Sequence, residues 1–105
     1  MMVILESIDR IKKYTEQGKS AFFESTIIQD AVIRNFEKMS DAAGKISDHF
    51  AAEHSRIPWR QLSLMQNLLL YPDLELVWNT IEKNLETIRC EIERIPPGEA
   101  NEAIE

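Results

Sequence analysis

Apolar residues recur along the chain at spacings of three and four, the period of an α-helix with one face on a core, and no stretch alternates for long enough to be a strand. From about Val3 to Gln17, Ile4, Ile8, Ile11 and Thr15 share a face, while Glu6, Asp9, Arg10, Lys12 and Lys13 take the rest. Gly18 is a natural stop. Ile28, Val32, Phe36, Met39, Ala43, Ile46 and Phe50 then read as one unbroken stripe, the longest in the chain, with Phe22 and Phe23 in a short lead-in turn and Ser25 or Thr26 as the cap. The proline of Ile57-Pro58-Trp59 suits the first turn of a third helix, which runs through Leu62, Met65 and Leu69 until Pro72 ends it. Asp73 caps a fourth helix whose stripe is Leu74, Val77 or Trp78, Ile81, Leu85, Ile88, Ile92 and Ile95, and Pro96-Pro97-Gly98 stops it. Amphipathic helices on short links predict an all-α, antiparallel up-down four-helix bundle: one domain over residues 1–95, followed by an acidic disordered tail over 96–105.

Composition narrows the partners. At 105 residues, 44% hydrophobic and 29% charged, the chain has room for one modest core, and sharing a helix face with a second copy would stabilise it. The net charge of −6 is uneven: residues 91–105 hold five acids and one base, so the rest of the chain carries only −2. That argues against wholesale electrostatic binding to nucleic acid but leaves room for a local basic patch that handles one phosphate. Arg34, Lys38 and Lys45 on the polar face of the second helix are such a patch, or else they pair with Asp30, Glu37 or Asp41; Arg10 and Lys13 read the same way. Cys90 is the only cysteine, so no intramolecular disulfide and no thiolate metal cage can form. It falls beside the buried stripe of the last helix and reads as a quiet, partly buried thiol. No apolar run approaches the ~20 residues needed to span a bilayer. A cytoplasmic protein with no cofactor and no membrane association is expected.

Several strings, taken in order, carry a resemblance: Ser7-Ile8-Asp9-Arg10-Ile11, Tyr14-Thr15, Gln29-Asp30-Ala31-Val32-Ile33-Arg34-Asn35-Phe36-Glu37, Asp41-Ala42-Ala43-Gly44-Lys45, Ile57-Pro58-Trp59-Arg60 and Asp73-Leu74-Glu75-Leu76-Val77-Trp78. Over roughly residues 5–95 the chain resembles the HepT-like proteins of the HEPN superfamily, small helical toxins paired with minimal nucleotidyltransferase antitoxins. The resemblance implies a helical homodimer with a composite cleft between protomers and a metal-independent endoribonuclease activity. It also implies a catalytic signature of Met-Arg-Asn, a few apolar residues, His, one residue, Tyr, and a Gly-containing loop before Asp-Leu. Here the text is Met65-Gln66-Asn67-Leu68-Leu69-Leu70-Tyr71-Pro72-Asp73-Leu74. Gln66 stands in place of the arginine, no histidine follows, and the stretch before Asp73 is about four residues short of the family pattern. Tyr71 stands either at the histidine place or, after a deletion, at the tyrosine place. Gln66, Asn67 and Tyr71 are thus the degenerate catalytic positions.

Cleaving RNA without a metal requires a base for the 2′-hydroxyl proton and a cation for the charge building on the phosphate. A glutamine lacks the charged planar fork that grips two phosphate oxygens, and a tyrosine with a reference pKa near ~10 is a poor base. His49 and His54 are expected near a helix end, about 5 to 20 Å along the bundle axis from Gln66 to Tyr71. That is too far for direct proton transfer within one protomer, though His49 from a second copy could reach. Trp59 and Trp78 sit at apolar positions and read as core or interface anchors. Three readings stay open: a toxin-antitoxin component with an eroded ribonuclease site, an active ribonuclease with a relocated base, and a non-catalytic module that binds a nucleotidyltransferase and offers Tyr71 for adenylation.

Overall fold

The computed structural model describes residues 2–59, 62 and 73–95, and every regular element among them is a helix. Helix α1 spans Met2–Tyr14, α2 Lys19–Glu24, α3 Thr26–Gly44, α4 Asp48–Glu53, α5 Leu74–Lys83 and α6 Leu85–Glu93. Trp59 and Leu62 are also helical, and the Pro58 carbonyl accepts from the Leu62 amide at 3.0 Å, which puts the proline at the start of that helix as its fixed φ favours. The end of this helix at Pro72, the stop at Pro96-Pro97-Gly98 and the tail 96–105 lie outside the described residues.

Packing follows the stripes. Ile4, Ile8 and Ile11 of α1 and Val32, Phe36 and Met39 of α3 have no solvent exposure, and α1 rests on α3 more extensively than on any other helix. Burying each such side chain is worth about 1.5–3 kcal/mol, far more than any surface pair in the molecule supplies. Small buried polar residues, Ser7 on α1 and Ser40 on α3, belong to the same interior. Phe22 is fully buried and stacks on Trp78 at 5.5 Å, so α2 and α5 meet through their aromatic rings. Phe50, Trp59 and Leu62 close one end of the core, while Leu85, Ile88, Ile92 and Ile95 of the last helical stretch complete it. Both tryptophans are core residues, as their apolar positions predict.

Helix ends are set by local chemistry. Thr15 Oγ1 donates to the Ile11 carbonyl at 2.7 Å as α1 closes, and Gly18 follows with φ 98°, a left-handed conformation that disfavours any side chain. Ser25 caps α3, its hydroxyl accepting from the Ile28 amide at 3.2 Å. Asp73 caps α5 through Oδ1, which accepts from the amides of Glu75 and Leu76 at 3.1 and 3.3 Å.

Two stripes that read as continuous are broken. The expected long second helix ends at Gly44; residues 45–47 turn, and Ser47 caps α4 by accepting from the Phe50 amide at 3.2 Å. Glycine has low helix propensity and serine competes for the backbone, so the chain stops and restarts there. Ile46 and Phe50 remain buried across the break, so the apolar spacing carries no trace of it. The fourth stripe is interrupted at Asn84, which ends α5 and opens α6. Its amide donates to the Thr80 carbonyl and its own carbonyl accepts from Ile88, both at 3.0 Å, so helical bonding passes through the interruption. Cys90 is exposed rather than partly buried: it lies two residues from Ile88 and Ile92, on the opposite face of α6.

Ion pairs report the relation of α1 to α6. Lys12 pairs with Glu86, and Arg89 lies 3.2 Å from Asp9 and 3.3 Å from Glu93, so sequence numbers rise along α1 as they fall along α6 and the two run antiparallel. The hydrogen bond from Lys12, aided by its charge, holds the Glu86 carboxyl below its ordinary range.

The mutational expectations follow from burial and backbone. Phe36→Ala should destabilise by about 3–5 kcal/mol in denaturant titration, because it empties a site with no exposure. Gly18→Ala should cost about 1–2 kcal/mol with no steric clash, since a Cβ there meets no atom within 4 Å and the loss is conformational alone. The pair on Glu86 stabilises above the ordinary carboxylate pKa and loses its effect as pH falls through the lowered folded value. In an NMR titration of the Glu86 carboxyl, Lys12→Met should move the midpoint upward; an unmoved midpoint refutes the assignment to Lys12.

Candidate functional site

The residues expected to handle chemistry fall in two groups, and the structure describes one of them. Gln66, Asn67 and Tyr71 lie outside the described residues. Their flanks are defined: Trp59 and Leu62 are buried on the N-terminal side, and Asp73 caps α5 on the other, where Lys19 lies 3.4 Å from Glu75.

Arg34 and Lys38 lie on α3 facing away from its buried stripe, and Lys45, seven positions further on and just past the helix as its C-cap, keeps a helical backbone that continues the same narrow arc. At 1.5 Å per residue the row extends about 16 Å along the helix axis. Arg34 Nη1 lies 3.3 Å from Glu37 Oε2 with both side chains well exposed, the pairing that the i,i+3 spacing allows. Lys45 is exposed and Lys38 half-buried, and neither has an ion-pair partner among the described residues. Asp30 and Asp41 share this side of the helix, so the row is a mixed surface with three cations on one line. Such a line can engage successive phosphates of a strand or the acids of a partner protein; it contains no group suited to take a proton. Arg10 and Lys13 are exposed on α1.

The histidines are placed differently from each other. His49 is 85% exposed and its Nε2 lies 3.1 Å from Glu53 Oε1 one turn further on. His54 is half-buried rather than exposed, with its ring 4.5 Å from that of Phe50. Its carbonyl accepts from the Ile57 amide and from Trp59 Nε1, each at 3.2 Å, so the residue organises the turn that leads into the Pro58 helix. Among the described residues no group of three or more His, Cys, Asp or Glu side chains could hold a metal ion, and no helix is long and apolar enough to cross a membrane.

A groove that the sequence pattern does not mark lies where the turn after α4 meets the end of α6. Its residues are ordinary surface types separated by some forty positions, so no local spacing marks them.

The family model for ribonuclease HepT-like proteins matches residues 4–95. The chain belongs to the HepT-like family. Among the relatives of this HepT-like protein, "Gamma-glutamylcyclotransferase and putative RNase" of Methanocaldococcus jannaschii is 34% identical over 97 residues. That alignment takes in 88% of this chain and 44% of the relative, so the HepT-like chain spans less than half of that protein. "Probable ribonuclease HepT" of Thermococcus cleftensis is 27% identical over 100 residues, with 88% of each chain covered. A "Putative RNase" of Methanocaldococcus jannaschii is 26% identical over 95 residues, covering 86% of this chain and 87% of the other. No solved structure matches the chain significantly.

Proposed function

We propose that this HepT-like protein is a toxin-antitoxin component with an eroded ribonuclease site, acting as a homodimeric four-helix bundle with a minimal nucleotidyltransferase as its partner. The observation that carries the reading is Gln66 at the arginine place of the family signature, with no histidine between Met65 and Asp73. Loss of a general base lowers rate by ~10² to 10⁴, and loss of the electrostatic clamp on the phosphate by a comparable factor. Membership in the family supports the module, and the relatives' names support its descent from ribonucleases. In this reading Arg34, Lys38 and Lys45 still offer a weak electrostatic track for RNA, or for an acidic face of the partner, while Gln66, Asn67 and Tyr71 mark the former catalytic positions.

A rival reading, an active ribonuclease with a relocated base, has one observation in its favour: His49 is exposed and so accessible to a second protomer. A third function for the same cleft is non-catalytic, with Tyr71 presented for adenylation by the partner.

Two measurements separate these readings. Purified protein incubated with RNA in the presence of a chelator is expected to cleave at least about 10⁴-fold more slowly than an intact relative; cleavage at the relative's rate would falsify erosion. Should any metal-independent cleavage be found, loss of it in Tyr71→Phe or in His49→Ala identifies the relocated base. Mass spectrometry of Tyr71 after co-expression with an adjacent nucleotidyltransferase tests the non-catalytic role.

A further inference from the structure

We draw no further inference here: the strongest candidate, the surface patch where α2 meets the start of α5, with Leu76 41% exposed next to the Lys19–Glu75 pair and Lys19 5.7 Å from the Phe23 ring, is an unpartnered face, and nothing in the structure shows what covers it.

Discussion

The contact between α1 and α3 carries the rest of the molecule. Six side chains from the two helices are fully withdrawn from water, and the combined transfer free energy of such a set is on the order of 10 kcal/mol, comparable to the whole net stability of a domain this size. Every other element is arranged on that pair: α2 and α5 add Phe22 and Trp78, α6 adds its isoleucines, and α4 folds Phe50 back onto the same core. The polar face of α3 is aimed outward because its other face is committed, so the line of Arg34, Lys38 and Lys45 is a by-product of core packing as much as a binding feature.

Charge plays a secondary part in holding the fold. The pairs linking α1 to α6 join exposed side chains, apart from the half-buried Arg89, so water and salt screen most of the attraction and each is worth about 1 kcal/mol or less. They report the antiparallel register that packing sets. Their larger consequence is kinetic and chemical: Lys12 and Arg89 are occupied by acids, so they are poorly available to an incoming anion, whereas Lys38 and Lys45 are not so engaged by any acid among the described residues.

In the reading proposed here, this chain of the HepT-like family keeps the scaffold and alters the reagents. The apolar stripes, caps and aromatic anchors that build the helices are intact, while the one position where a guanidinium is expected holds an amide. In that reading fold and chemistry part because the core is stabilised by area and shape, to which a single cation contributes little, whereas phosphoryl chemistry depends on such a charge.

The amino-acid sequence alone determined the helical class, the buried stripes, the caps at Ser25 and Asp73, the stop at Gly18 and the family, because each depends on residues within a few positions of one another or on strings read in order. It also displayed Gln66 and the missing histidine, which are matters of identity rather than geometry. The structure showed where the long stripes break, since Gly44 to Ser47 and Asn84 change the backbone while leaving the apolar side on the core, so the apolar spacing gives no sign of it. It decided the half-burial of His54 against Phe50 and the meeting of Arg56 with the end of α6. That meeting joins residues some forty positions apart, and local periodicity carries no information about which distant surfaces the core will draw together.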